Sequence, residues 1–303
     1  MTRHFLTLLD LSAEELTRVL ERGAELARVR GTSEHPRPLA GKSVVVLLEK
    51  ASTRTRLSFE IGIAELGGHP LTLIAKDTQV ARGEPLPDTA RMLSGYAHGV
   101  VYRTFGHERV AELAEHASIP VINGLSDDYH PCQLLADLMT VRSATGGRLE
   151  GVRVAWIGDG NNMAHSWINA AALTGLSLRL ACPEGYSPSE AIVAHARELG
   201  ADVAVVRDPR EAVEGARVVT TDVWASMGQE AESSAREAAF AGYQVDAALM
   251  ELASRDAIFL HCLPAHRGEE VAAEVIDGPA SRVWDEAANR LHGQKALLEL
   301  LLR

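Results

Sequence analysis

Apolar positions along the chain follow two periods in turn. Ser12-Ala13-Glu14-Glu15 has the form of a capping box, and Leu16, Val19, Leu20, Ala24 and Leu26 follow at helical spacing, so the chain is expected to open with a helix. Beyond it, short β-branched runs alternate with helical patterns. Strands are expected at 43–49, 70–75, 100–103 and 119–122, with helices near 56–66, 88–96 and 108–116 between them and another near 131–143. Gly146, Gly147 and Gly151 then punctuate the chain. A second alternation follows, with strands at 152–157, 176–181, 203–206, 217–221 and 258–262 and helices near 163–173, 189–199 and 208–214, before a last helix near 285–302. The pattern predicts an α/β protein of two doubly wound domains, 1–145 and 146–303, each a mostly parallel sheet flanked by helices.

The composition narrows this further. A length of 303 residues suits two domains, and 46% hydrophobic with 23% charged residues is ordinary for a globular chain. Apolar runs such as Val44-Val45-Val46-Leu47-Leu48 fall far short of the roughly 18 residues a bilayer span needs, and no secretory core follows Met1-Thr2-Arg3-His4. A net charge of −11 argues against nucleic acid as a partner. Cys132, Cys182 and Cys262 lie far apart and form no CxxC, so a reducing cytoplasm is the expected location. Of 30 cationic residues only Lys42, Lys50, Lys76 and Lys295 are lysines. The rest are arginines, whose planar fork grips an oxyanion at two points.

Ligands of open α/β sheets bind beyond the carboxyl ends of the strands, which directs attention to the residues just past each one. Past the first is Ser52-Thr53-Arg54-Thr55-Arg56, entering a helix. Hydroxyls, the N–H groups of a helix start and cationic side chains suit phosphate, although an ordinary Ser/Thr cap with solvated arginines is the plainer alternative and no GxxxxGK[ST] is present. Past the third is Tyr102-Arg103-Thr104, and past the fourth Tyr129-His130-Pro131-Cys132-Gln133. Pro131 suits the first helical position, which makes His130 the cap and lets His130 and Gln133 face one ligand.

In the second half, Gly158-Asp159-Gly160-Asn161-Asn162-Met163 resembles a dinucleotide turn, but Met163 replaces the third glycine and Cys182-Pro183 stands where an acidic partner is expected. A turn presenting Asn162 to a small substrate fits better. Asp222, in Thr221-Asp222-Val223-Trp224-Ala225-Ser226-Met227-Gly228, offers a carboxylate to an ammonium, and the Ser-Met-Gly turn offers a hydroxyl and backbone groups to a carboxylate. The last segment is His261-Cys262-Leu263-Pro264. Adjacent strand side chains point to opposite faces, so His261 is a poor base for Cys262, and no second half of a zinc site is recognisable.

These segments, collinear from Phe5-Leu6-Thr7-Leu8-Leu9-Asp10 to Glu286-Ala287-Ala288-Asn289-Arg290, resemble the carbamoyltransferase family. Ser-Thr-Arg-Thr-Arg and His-Pro-x-Gln-x-Leu-Ala-Asp are common to its aspartate-using and ornithine-using branches, while Asp-x-x-x-Ser-Met-Gly and His-Cys-Leu-Pro mark the ornithine-using branch. The resemblance implies transfer of the carbamoyl group of carbamoyl phosphate to the δ-amine of L-ornithine, giving L-citrulline and phosphate, in arginine metabolism. It implies a carbamoyl phosphate-binding first domain, an ornithine-binding second domain and a C-terminal helix that returns to the first. It also implies no cofactor, no metal, a cytoplasmic location, and a homotrimer or assembly of trimers with shared active sites.

The resemblance carries residue roles as well. Ser52, Thr53, Arg54, Thr55 and Arg103 would bind the phosphate, with Gln79 reaching in from a neighbouring subunit. Arg103, His130 and Thr55 would polarise the carbamoyl carbonyl, with Arg290 nearby. Gln133 and the backbone carbonyl of Leu263 would hold the carbamoyl NH2. Asn162, Asp222, Ser226 and Met227 would bind the α-amino and α-carboxyl groups of ornithine, and Cys262 would sit beside the reacting amine as a polar neighbour. After Gln79, where some relatives carry lysine, this chain has Val80-Ala81-Arg82-Gly83-Glu84, with Arg82 as its cation.

Overall fold

The computed structural model describes residues 2–225 and 233–303. The chain divides into two compact units, Met1–Met139 with Ala288–Arg303, and Thr140–Ala287. In chain order the first part contains α1 (Ala13–Arg28), β1 (Ser43–Leu48), α2 (Thr53–Glu65), β2 (His69–Ile74), α3 (Leu86–Tyr96), β3 (Gly99–Arg103), α4 (His107–His116), β4 (Val121–Leu125) and α5 (Pro131–Ala144). There follow β5 (Arg153–Ile157), α6 (Asn162–Thr174), β6 (Ser177–Ala181), α7 (Glu190–Glu198), β7 (Asp202–Val206), α8 (Pro209–Val213), β8 (Val218–Thr221), α9 (Ser233–Ala239), α10 (Ala247–Met250), β9 (Ile258–His261), α11 (Ala273–Ile276) and α12 (Val283–Leu302). Among the described residues no helix is long and apolar enough to cross a membrane.

In the first unit all strand pairs are parallel and the order is β2-β1-β3-β4. The β-branched run of β1 is buried from Val44 to Leu48, as a strand covered by helices on both faces requires. The end of α12 belongs to this unit. There Lys295, fully buried, donates to Glu65 at 2.8 Å and to His35 at 3.0 Å, and Arg22 pairs with Glu299 at 2.9 Å. Gly62 permits the close approach of α2 and α12, since a Cβ there would lie 3.2 Å from Cγ of Lys295.

The second unit holds a parallel sheet of order β7-β6-β5-β8-β9. Trp156 and Trp167 are its largest buried side chains. Both sheets are doubly wound. The chain proceeds from β1 to β2 on one side and returns to place β3 on the other, just as it leaves β5 for β6 and β7 and returns to place β8. The gaps between the ends of β1 and β3, and of β5 and β8, are the switch points where such sheets receive ligands.

Several boundaries differ from expectation, each for a local reason. The helix expected near 56 begins at Thr53, because Ser52 caps it by accepting from the Thr55 N–H. The strand expected at 119–122 runs from Val121 to Leu125, since Pro120 has no N–H to give a ladder and the Leu125 carbonyl continues it by accepting from Thr104. The short helices α9, α10 and α11 were not expected.

Candidate active site

At the first switch point, Ser52 Oγ accepts from the Thr55 N–H at 3.2 Å and donates to Thr55 Oγ1 at 3.0 Å. This fixes the first turn of α2, whose remaining N–H groups point along the helix axis toward an incoming anion. Arg103, buried at the end of β3 in register with Leu48, extends Nη1 to Thr55 Oγ1 at 3.5 Å. Thr53 and Arg54 are exposed beside them. Arg56 pairs with Glu60 at 3.0 Å, which offsets its charge at this turn. Behind the turn, Arg109 makes a two-point pair with Glu49, at 2.6 and 3.1 Å, and Thr104 also donates to that carboxylate. Burial raises the Glu49 carboxyl, but these bonds outweigh it and hold the group below its usual range.

His130 is buried immediately before Pro131, the first residue of α5. Burial, and then the positive charges of Arg290, Arg103 and Arg54, push its pKa well below the ordinary value. The ring is therefore neutral near pH 7 and carries one N–H. Gln133 accepts on Oε1 from Arg290 Nη1 at 2.6 Å and donates from Nε2 to Asp137 Oδ1 at 2.8 Å. Ser52, Thr55, Arg103, His130, Gln133 and Arg290 are thus gathered by bonds or by field within one unit. Gln79 stands on an exposed turn, where its carbonyl accepts from the N–H of Arg82 and of Glu84.

At the second switch point the charge is reversed. Asp222 follows β8 and is buried. Its carboxylate accepts from Asn161 Nδ2 at 2.9 Å, from the Cys262 thiol at 3.1 Å and from the Val223 N–H at 2.8 Å. The oxygen of the same Asn161 side chain caps α6, accepting from Met163 and Ala164. Asn162 is the first residue of that helix. Gly160 owes its place to packing, since a Cβ there would lie 2.1 Å from the Pro188 backbone nitrogen. A glycine explained by the Tyr186–Pro188 segment needs no pyrophosphate to account for it. Asp159 pairs with Arg236 at 2.8 Å. Burial, with the nearby Asp222 adding to it, raises the Asp159 carboxyl even so.

The strand expected at 258–262 ends at His261, so Cys262 lies just beyond it, and it is hydrogen bonding that commits the His261 ring elsewhere. His261 Nε2 faces Glu270 at 3.1 Å and Nδ1 accepts from the Leu263 N–H at 2.9 Å, which fixes the proton on Nε2. The backbone N–H of His261 donates to Glu286 at 2.9 Å. One ligand atom each from Asp222, His261 and Cys262 lies within 4.8 Å of the others, but both ring nitrogens of His261 are already committed, so the set is poorly suited to a cation. Burial pushes the thiols of Cys132 and Cys182 up to about 12, which keeps them protonated. Leu263 adopts φ 59°, a conformation that costs a non-glycine residue roughly 1–2 kcal/mol, and its bond to Pro264 is cis.

Ser226 and Met227 lie outside the described residues. Sequence reasoning missed Asn161, Asp137, Glu49, Arg109, Glu270 and Glu286. The doubled Asn161-Asn162 could have signalled the first of these, because the earlier residue of such a pair is the natural helix cap.

Comparison with known proteins agrees with this geometry. Residues 3–143 match the model of the aspartate/ornithine carbamoyltransferase carbamoyl-P binding domain, and residues 150–301 that of the Asp/Orn binding domain. An ornithine carbamoyltransferase of Hydrogenovibrio crunogenus is 54% identical over 99% of this chain and 98% of its own. An anabolic ornithine carbamoyltransferase of Pseudomonas aeruginosa is 55% identical over 99% and 97%. Among solved structures, ornithine carbamoyltransferase from Pyrococcus furiosus has a TM-score of 0.94 at 47% identity, covering 99% of this chain and 97% of that one. The Thermus thermophilus enzyme has a TM-score of 0.91 at 40% identity, covering both chains fully. With both domain models matched end to end, the chain belongs to the aspartate/ornithine carbamoyltransferase family.

Proposed function

We propose that the chain transfers the carbamoyl group of carbamoyl phosphate to the δ-amine of L-ornithine, giving L-citrulline and phosphate. Relatives named ornithine carbamoyltransferase, 54–55% identical over nearly the full length of both chains, support the choice of acceptor. The structural observation that carries the reading is the opposition of charge at the switch points, Arg103 with Ser52–Thr55 at one and Asp222 at the other.

In this reading Ser52, Thr53, Arg54, Thr55 and Arg103 hold the phosphate. Gln133 and the Leu263 carbonyl take the carbamoyl NH2. The attacking amine must be neutral, yet a free alkylamine titrates near 10.4. Arginines around the donor favour the uncharged form. Attack places negative charge on the carbamoyl oxygen, where Arg103, Thr55 and the single N–H of neutral His130 donate. Each fixed donor of this kind is worth about 2.7–4 kcal/mol. The C–O bond to phosphate then breaks. A phosphate oxygen takes the amine proton, and Arg54 and Arg103 balance the charge of the departing anion, so no carboxylate base is required.

Asp222, with Asn162, Ser226 and Met227, binds the α-amino and α-carboxyl groups of ornithine. Cys262 stands beside the amine, and its bond to Asp222 supports a neighbour's role over a nucleophile's. We place the enzyme in the cytoplasm, on the biosynthetic side of arginine metabolism, as a homotrimer or assembly of trimers in which Gln79, with Arg82 near it, serves the neighbouring subunit. An acceptor panel of ornithine, putrescine, N-acetylornithine and aspartate tests the chemistry. Ornithine is expected to exceed each other amine by about 10²-fold or more in kcat/KM, and preference for any of the others overturns the assignment. Light scattering tests the assembly, where a monomeric mass removes the role given to Gln79.

A further inference from the structure

We propose that Asp137 is a positioning residue for donor recognition: it fixes which end of the Gln133 amide meets the carbamoyl NH2. The proposal rests on the carbamoyl-transfer reading above. Asp137 lies one turn beyond Gln133 on α5, and both side chains are buried. Gln133 Nε2 donates to Asp137 Oδ1 at 2.8 Å, while Gln133 Oε1 accepts from Arg290 Nη1 at 2.6 Å. Turning the amide over would set its NH2 against a guanidinium and its oxygen against a carboxylate. Both contacts would then be repulsive, in a place where water cannot relieve them. The amide is therefore keyed from both ends.

Arg290 is held in turn. With its amide oxygen toward the guanidinium, Gln294 accepts from Arg290 Nη2 at 3.3 Å and Nε at 3.2 Å and donates to Ser58 Oγ at 2.7 Å. Ser58 Oγ donates to the Thr55 carbonyl at 3.3 Å. Hydrogen bonds thus run outward from Arg290 in two directions. One runs through Gln133 to the Asp137 carboxylate and the other reaches the turn that carries the anion cradle. A carboxylate accepts and never donates, so Asp137 can meet only the NH2 end of the Gln133 amide. An amide oxygen can accept from two directions, so Gln133 Oε1 can serve Arg290 and a donor N–H together. A keyed oxygen selects a ligand that brings an N–H, and acetyl phosphate has a methyl group at that position.

The test measures binding of carbamoyl phosphate and of acetyl phosphate to the full chain, alongside turnover. Asp137→Leu removes the acceptor. It is expected to raise the Kd of carbamoyl phosphate about tenfold or more while moving that of acetyl phosphate by less than about twofold. Asp137→Asn keeps an acceptor oxygen and is expected to stay within about threefold of the wild type for both ligands. Gln133→Glu sets one carboxylate against another and is expected to lose about tenfold or more in carbamoyl phosphate affinity. Adding Asp137→Asn, which offers an N–H to the new carboxylate, should recover most of that loss.

Equal weakening of both ligands by Asp137→Leu, a loss in Asp137→Asn as large as in Asp137→Leu, or a double variant that shows the product of its single losses overturns the proposal. Should Asp137→Leu not fold, the cycle decides alone, because its substitutions conserve size. A wild type that forms no citrulline sinks the carbamoyl-transfer reading; an active wild type with an additive cycle sinks only the role of Asp137.

Discussion

The two switch points follow one plan and bear opposite charge. In each, the turn after the first strand supplies a polar helix start and the end of the returning strand supplies a charged side chain. Ser52–Thr55 with Arg103 make the first, and Asn161 with Asp222 make the second. The surroundings differ to match. Arg103 reaches the Thr55 hydroxyl, and His130 is kept neutral by burial and by the arginines around it, so the positive charge of this end is carried by guanidinium groups. Asp222 is met by neutral donors, an amide, a thiol and a backbone N–H, so its negative charge stays available to an ammonium. Topology decides where a side chain is presented, and the neighbours decide whether its charge survives to meet a ligand.

The comparison breaks most readily at its cationic end. Arg54→Ala should lower kcat/KM for carbamoyl phosphate by about 10²–10³-fold with little change in the ornithine response, read from initial rates of citrulline formation. Asp222→Asn should act on the other side alone, raising the ornithine KM by about 10–100-fold and leaving carbamoyl phosphate binding as it was; an unchanged ornithine KM would remove Asp222 from the acceptor site. Asn161→Ala sharpens the point about neighbours, since that side chain both caps α6 and steadies Asp222. Thermal unfolding should show a loss of about 1 kcal/mol, and the ornithine KM should rise by about 3–10-fold.

The smallest effect lies away from both sites. Burial, then the charges of Lys295 and Arg30, bring the pKa of His292 down to about 4 against the contrary pull of Glu65. The unfolded chain takes up this proton near 6.5 and the folded chain does not, so the contribution is complete above about 6.5 and is lost as pH falls toward 4. The wild-type Tm should therefore fall between pH 7 and pH 5, and His292→Gln should shrink the fall by about 2–4 °C. His35, lowered by burial and then by Lys295, adds to the same slope.

What the sequence makes legible is what lies close along the chain. The strands announce themselves by β-branched runs, and the groups just past them mark both switch points. The partnerships are another matter. Asn161 and Asp222 are 61 positions apart, and Gln133 and Arg290 are 157 apart, distances across which no periodicity speaks. The four-residue helices α10 and α11 are too short to show a period and depend on their packing. The role of Asp137 escapes the eye for a different reason, because the residue sits inside a helix where an acid usually means a solvated face.

One feature bears on how the molecule comes into being. Arg290 comes after the last residue of the second unit, on a helix that starts within that unit, yet it belongs to the first. A ribosome adding about 5–20 residues per second releases the residues up to Met139 well before that arginine exists. During that interval the growing polypeptide holds Gln133 without the guanidinium that keys it and leaves Glu65 without Lys295. Competence to capture the donor thus arrives late in translation, only after the acceptor-binding portion has been made.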